Sequence, residues 1–340
     1  MPAIVVADAL RADGADVRFV GGERAEAELV PAAGYPLEAI RVEGISRTNP
    51  VRAGRAVLLA ARALGAAGRI LDRQGADAVL GGGGYVAGPV GLAAVRRRIP
   101  LVLAEADSHL GLTNRLLARR AERVCLAFGI AGREGPRYRV TGRPVPPTVT
   151  DRIAARAQLD VPPAATCVLV FGGSLGARSI NLAAIEGLAG APYTVLHVAG
   201  RRDHRELEPR AAALGDGYLL RDYVTPFGIA LAAADLAVAR SGGSVFELAQ
   251  YALPSVLVPY PHAAGDHQTG NARWMERAGA AVVIPDAQLT PARLRAAVDA
   301  IATDPARHDA MAAAARGLAR PDAASDIAGE VLAAISTRSG

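Results

Sequence analysis

Residues 241–247 read SGGSVFE, after an apolar run, DLAVAR (235–240), and before a helix-like stretch, ELAQYALP (247–254). Gly242 and Gly243 leave backbone amides open to a close ligand. A helix N-terminus adds free N–H groups and the positive end of the dipole, and both favour phosphate. Glu247 falls in the first helical turn, where a carboxylate is favoured with or without a ligand. Beside glycines that admit one, it can accept two hydrogen bonds from a ribose diol. Amides for phosphate and a carboxylate for ribose together describe a nucleotide. GGSLGA (172–177) follows the apolar run VLVF and repeats the strand–glycine–helix pattern, with the Ser174 hydroxyl as a further donor. It lacks the Gly-Lys-Ser/Thr of a Walker A loop. It also lacks the acidic ribose ligand that a dinucleotide fingerprint carries about 20 residues on. A tight, ligand-free turn is its competing reading.

Three further stretches hold polar groups at strand ends. In PYPHAAGDHQTGNARW (259–274), Gln268 and Asn271 are spaced to share one helical face. Side-chain amides both donate and accept, which suits sugar hydroxyls. Asp266 as a helix N-cap with exposed neighbours is the alternative. GGGGYVAGP (81–89) again offers bare amides, at Gly83 and Gly84 before Tyr85. LAEADSHLGLTNR (103–115) gathers Glu105, Asp107 and His109, three candidate general bases, with Asn114 close behind. A solvated loop would hold the same residues. No Asp-x-Asp and no paired-His spacing occurs, so no metal is expected at a diphosphate; a helix dipole would do that work.

The elements that must position these groups alternate. VRFV (17–20), AVLG (78–81), PLVLAE (100–105), RVCLAF (123–128) and YRVTG (138–142) read as strands, with Ala-rich helical runs between them. GRPVPPTV (142–149) is stiff and extended, a plausible interdomain linker. The rhythm then restarts through TCVLVFGG, TVLHVAG, GYLLRDY, DLAVAR, PSVLVPYP and AAVVIP. This predicts an α/β fold of two Rossmann-like domains in tandem, over 1–145 and 150–321, with a C-terminal helix, 322–340, available to pack back on the first.

Half of the 340 residues are apolar (51%), enough for two cores, and the formal charge is +5. A basic surface suits phosphorylated substrates or anionic lipid. Nucleic acid is not expected, because no RNA- or DNA-binding spacing is present. Cys125 and Cys167 read as buried thiols in a reducing cytosol. No apolar run approaches the roughly 20 residues that span a bilayer. Residues 51–71, with Arg52, Arg55, Arg62 and Arg69 among Val57, Leu58, Leu59 and Leu64, read either as a basic amphipathic helix for a membrane surface or as an ordinary surface helix.

In order along the chain, GGGGYVAGP, EADSHLGLTNRLLA, GGSLGARSIN, SGGSVFELA, VPYPHAAGDHQTGNA and AGAAVVIPD resemble the MurG family. These are cytosolic transferases that complete lipid II in peptidoglycan synthesis. The resemblance spans about residues 2–335. It implies the GT-B fold, with two Rossmann-like domains and an active site in the cleft between them. It implies inverting, metal-independent transfer of N-acetylglucosamine from UDP-N-acetylglucosamine to lipid I, without a cofactor, at the cytoplasmic face of the membrane. The protein would be peripheral there, beside other cell-wall synthesis proteins. Glu247 would then hold the uridine ribose, the Val224 backbone would read uracil, and Ser174 with the amides of Gly242, Gly243, Ser244, Val245 and Phe246 would meet the diphosphate. Gln268 and Asn271 would hold the donor sugar, with Asp107 near its path. Gly83, Gly84, Tyr85 and Asn114 would shape the acceptor side.

The sequence departs from that pattern in places. Arg143-Pro144-Val145-Pro146 stands for the family's Asn-Pro-Val-Arg, so Arg143 is a candidate substitute phosphate contact. Glu105-Ala106-Asp107 stands for Glu-Gln-Asn. SGGSVFE is one residue shorter than some family versions. The family's opening strand and GGTGGH loop, with a His often given a catalytic role, have no counterpart before Met1-Pro2-Ala3. A start placed too late is the expectation, and a missing central strand would strip hydrogen bonds from its two neighbours. The alternatives are another GT-B transferase with a different lipid or sugar acceptor, or an inactive nucleotide-sugar binder or scaffold.

Overall fold

The computed structural model describes residues 2–23, 25–42, 50–173 and 176–339. In chain order the first elements are α1 (Pro2–Ala12), β1 (Phe19–Gly21), α2 (Ala25–Ala32), β2 (Leu37–Ala39), α3 (Pro50–Gln74), β3 (Val79–Gly81), α4 (Gly84–Arg96), β4 (Leu101–Glu105), α5 (Leu112–Leu117), β5 (Arg123–Leu126) and β6 (Tyr138–Val140). There follow α6 (Arg152–Gln158), β7 (Cys167–Phe171), α7 (Arg178–Gly187), β8 (Thr194–Val198), α8 (Arg201–Ala212), β9 (Tyr218–Arg221), α9 (Gly228–Ala233) and β10 (Leu236–Ala239). The last are α10 (Ser244–Gln250), β11 (Ser255–Leu257), α11 (His267–Arg277), β12 (Ala281–Val283), α12 (Pro291–Ala302), α13 (Pro305–Leu318) and α14 (Ala323–Ser339). The chain divides into two compact units, Met1–Val145 with Arg320–Gly340, and Pro146–Ala319.

In the first unit β4 and β5 are buried on both faces, which is why they read as continuous apolar runs. Alternation sends Leu101 and Leu103 of β4, with Val124 and Leu126 of β5, toward Ala67, Ile70, Val90 and Ala93 of α3 and α4. Val102 and Cys125 face the other way, against Val6 and Leu10 of α1 and Ile327, Ala328 and Val331 of α14. α14 is therefore part of this core. So is the second half of α3, whose Ala63, Ala67 and Ile70 are buried while Arg62 and Arg69 are exposed. In this half of 51–71 the apolar stripe is used by the protein's own core, which favours the ordinary surface helix over the membrane helix there. The side chains of Arg52, Arg55, Val57 and Leu58 lie outside the described residues.

The strands of this unit form two parallel sheets, β1-β2 and β3-β4-β5-β6. The N–H of Phe19 donates to Pro36 O and that of Val79 to Pro100 O. Because successive N–H groups on a strand point to opposite sides, those of Val20 and Leu80 face edges that pair with no described strand.

The second unit is one six-stranded parallel sheet in the order β12-β11-β10-β7-β8-β9. β7 lies at its centre with no solvent contact at Val168, Leu169 and Val170. Helices α7 and α12 cover one face through Ile180, Ala184, Leu294 and Val298. The order reverses between β7 and β10, and in open α/β sheets ligands bind outside the carboxyl ends of the strands at such a point. At the opposite end, Asp235 anchors α6 by accepting from Arg152 Nη2 (2.5 Å), Arg156 Nη2 (2.7 Å) and the N–H of Cys167 (2.8 Å).

The open edges of β1 and β3 make a testable difference between the units. In native-state hydrogen exchange the amides of Val20 and Leu80 are expected to exchange far faster than that of Leu169, which lies in a strand paired on both sides. Equal protection would mean that those edges are covered in solution.

Candidate functional site

Two loops of the second unit leave the sheet at its switch point. The first follows β7. A side chain at Gly172 would lie 2.2 Å from the Ala177 N, and one at Gly176 (φ +74°) 2.2 Å from the Ala199 O. Only glycine permits this turn, so part of its glycine content is explained by packing alone. Ser174 lies outside the described residues. Behind the turn, α7 is locked by a buried network. Burial pushes the His197 pKa down to about 3, so the ring is neutral. Asn181 spends its Nδ2 on Ala199 O and Asp203 Oδ2, both at 2.9 Å. Its Oδ1 must therefore accept, which assigns the proton to His197 Nε2 (3.1 Å) and leaves Nδ1 to accept from the Tyr218 hydroxyl (2.8 Å).

The second loop, 240–243, connects β10 to α10. The Val245 and Phe246 side chains are buried, and their N–H groups already close turns onto Gly242 O and Gly243 O at 3.3 and 3.2 Å. Among the described residues, the N–H groups of Gly243 and Ser244 have no such partner. This narrows the expected donor amides to the start of α10. A side chain at Gly242 would touch Gln268 Nε2 at 3.7 Å, so glycine here keeps that amide accessible. Glu247 is half-buried in the first turn of α10.

Gln268 and Asn271 both stand against this loop, in different ways. Gln268 Oε1 accepts from the Tyr260 N–H (3.0 Å), which leaves Nε2 beside Gly242. Asn271 is 1% exposed and donates to Ser241 O (3.0 Å), while the Ser241 hydroxyl donates to Gln268 O (2.8 Å). Asn271 therefore does not share an open face with Gln268; it underpins the glycine loop. Its Oδ1 has no partner among the described residues. Ser241 was missed in the sequence, where nothing distinguishes a hydroxyl that bridges two loops from one in water. Val224 is buried, but its backbone N–H and C=O meet no described hydrogen-bonding partner, so both are available.

In the first unit, Gly83 (φ +81°) and Gly84 (φ +77°) turn the chain from β3 into α4, and Tyr85 projects with 64% exposure. The neighbouring loop is built on Glu105. Its carboxylate accepts from the N–H of Gly111 (2.8 Å), Asn114 Nδ2 (3.0 Å) and the N–H of Asp107 (3.2 Å). Asn114 is 1% exposed and also donates to Ala104 O (3.1 Å). It holds the loop to β4, next to Gly83, and does not present itself to a ligand. Of the three base candidates, Glu105 is committed to these bonds. Asp107, half-buried, and His109, exposed, keep acceptor atoms that no described residue engages. Arg143 is half-buried in the segment after β6. Among the described residues no group of His, Cys, Asp and Glu converges as a metal site.

Two α/β units with parallel sheets, one carrying a nucleotide-type loop pair at its switch point, define the GT-B glycosyltransferase class. Residues 1–126 match the glycosyltransferase family 28 N-terminal domain and residues 167–327 its C-terminal domain. The chain is 40% identical to the UDP-N-acetylglucosamine–N-acetylmuramyl-(pentapeptide) pyrophosphoryl-undecaprenol N-acetylglucosamine transferase of Moorella thermoacetica, over 95% of this chain and 92% of the relative. It is 41% identical to the transferase of the same name from Salinibacter ruber, over 98% and 92%. The crystal structure of MurG from Acinetobacter baumannii superposes with a TM-score of 0.78 at 27% identity, over 98% of this chain and 95% of that one. The chain belongs to glycosyltransferase family 28 and, within it, to the MurG transferases.

The Glu105 hub yields a direct test. Glu105→Gln offers one oxygen and one NH2 group where three N–H groups converge. The variant is expected to lose about 1–3 kcal/mol in urea unfolding through the unsatisfied donors. An unchanged midpoint would remove the hub role.

Proposed function

We propose that this chain transfers N-acetylglucosamine from UDP-N-acetylglucosamine to lipid I, forming lipid II, at the cytoplasmic face of the membrane. One constellation carries this reading: the free Gly243 and Ser244 amides, the Glu247 carboxylate and the Gln268 amide, gathered at the switch point of a doubly wound sheet. The α10 N-terminus would take the donor diphosphate, Glu247 the ribose diol, the Val224 backbone the uracil and Gln268 the sugar hydroxyls. Asn271 would act through Ser241. In the reaction the acceptor sugar hydroxyl attacks the anomeric carbon, configuration inverts and UDP leaves. The preorganised amides stabilise the charge that builds on the leaving diphosphate. Asp107 or His109 would take the proton from the attacking hydroxyl. Arg143 would add a cation toward phosphate, and the Gly83–Tyr85 turn would border the acceptor.

The lipid-linked acceptor requires a membrane-facing surface. α4, α5 and the residues just after α5 would supply one: Leu92, Leu112 (55% exposed), Leu116 (69%) and Tyr85 are exposed there, as are Arg96, Arg115 and Arg119. Apolar side chains among arginines suit the surface of an anionic bilayer. No described helix is long and apolar enough to cross a membrane.

The decisive experiment mixes the 340-residue chain, labelled UDP-N-acetylglucosamine and a lipid I analogue, with and without a chelator. Labelled lipid II is expected in both. Binding of UDP without transfer would favour the inactive-binder reading, and no binding would reject the donor site. Glu247→Ala is expected to weaken UDP binding by roughly 1.5–3 kcal/mol in calorimetry, the range for hydrogen bonds to a charged group. Leu112→Glu with Leu116→Glu should abolish co-sedimentation with anionic vesicles while UDP affinity stays unchanged. Retained sedimentation would move the membrane face elsewhere.

A further inference from the structure

Arg240 is the residue between the last residue of β10 and the Ser241-Gly242-Gly243 loop, and its side chain is only 11% exposed. Its guanidinium does not face outward for a ligand. Nη1 donates to Val258 O (3.0 Å) and Pro259 O (3.1 Å), where the chain leaves β11, and to Asp286 Oδ1 (2.6 Å), just past β12. Nη2 donates to Ser179 Oγ (2.8 Å) in the first turn of α7, and the Ser179 hydroxyl donates on to the same Asp286 oxygen (2.7 Å). The Arg240 carbonyl accepts from the Ser244 hydroxyl (3.1 Å) at the first residue of α10. The Tyr260 ring lies 5.5 Å from the guanidinium carbon. One cation thus ties together the segments that follow β7, β10, β11 and β12. These are the segments that carry the glycine turn, the free amides of α10 and Gln268.

We infer that Arg240 is a positioning residue for the donor: it sets the relative placement of the diphosphate amides and Gln268 without touching the nucleotide, and Asp286 holds it in that pose. The inference rests on the UDP-sugar reading of this site. Its physical basis is the planar fork. Five N–H donors in fixed directions reach several acceptors at once, whereas a lysine ammonium keeps the charge but cannot reproduce that geometry. Without that donor, Val258 O and Pro259 O, Asp286 Oδ1 and Ser179 Oγ lose their common partner, so each segment is free to move apart from the others. In the sequence Arg240 is one of many arginines, and nothing near it marks this role.

The test is Arg240→Lys, with Asp286→Asn as an independent second variant. Arg277→Lys, on the exposed end of α11, is the control. UDP affinity is measured by calorimetry, and KM and kcat are measured for donor and acceptor separately. Arg240→Lys is expected to raise both the UDP dissociation constant and the donor KM about tenfold or more, the factor when misplacement of the α10 amides costs one charge-assisted hydrogen bond to the diphosphate. The acceptor KM should not move, and kcat should change far less than the donor KM. Asp286→Asn should shift the same two quantities in the same direction, by less. Wild-type UDP affinity in either variant that unfolds at the normal urea concentration overturns the inference and leaves the donor reading intact. A general fall in kcat with unchanged donor KM also overturns it. Absence of UDP binding in the wild-type chain sinks the donor reading, and this inference with it.

Discussion

The parallel pairing of β7 with β10, Val168–Phe171 beside Leu236–Ala239, is the constraint on which the donor site depends. The two strands are neighbours in space but separated in sequence by two strands and three helices. Their alignment brings two glycine turns and two helix starts to one edge of the sheet. Parallel strands all end on the same side, so every loop that leaves a carboxyl end is available there. The dipole ends of α7 and α10 then face a common region without any residue being selected for it.

What turns that region into a site is the satisfaction of buried polar groups. Neutral His197, Asn181 and Asp203 hold α7; Asn271 and Ser241 hold the glycine loop; Arg240 and Asp286 hold the strand ends. Each of these residues is polar and mostly removed from water, where an unpartnered group costs about 1–3 kcal/mol. Except at Asn271 Oδ1, the cost is avoided by bonds between loops, and those bonds are what keep the loops in register. The Gly243 and Ser244 amides and Gln268 Nε2 remain because their neighbours are already engaged.

The first unit follows the same logic with a different outcome. Glu105 gathers three N–H groups and fixes the loop that carries Asp107 and His109. α14 closes its core from the far end of the chain, through Ile327, Ala328 and Val331 against Val102 and Cys125. Its strands nevertheless remain in two sheets, with unpaired edges on β1, β2, β3 and β6 among the described residues. An edge strand exposes backbone donors that a central strand does not. The second unit, one continuous sheet around β7, has such edges only at β9 and β12 among the described residues.

The sequence by itself determined what is local. Apolar runs of strand length, glycines at their ends and helical stretches beyond them specified the α/β class and the strand–turn–helix units, because strand and helix periodicities are short-range. The residue types at those turns also pointed to a nucleotide. Only the tertiary structure decided the strand order, and with it which turns meet. It also decided the fate of individual polar residues. Glu105 became the acceptor of its own loop, Asn271 went beneath the glycine turn, and α3 turned Ala63, Ala67 and Ile70 inward. Arg240 drew together loops that are far apart in the chain. The physical reason is the same in each case. A side chain's chemistry states what partner it needs, but long-range packing decides which partner arrives, and only what is left unpartnered is free to bind.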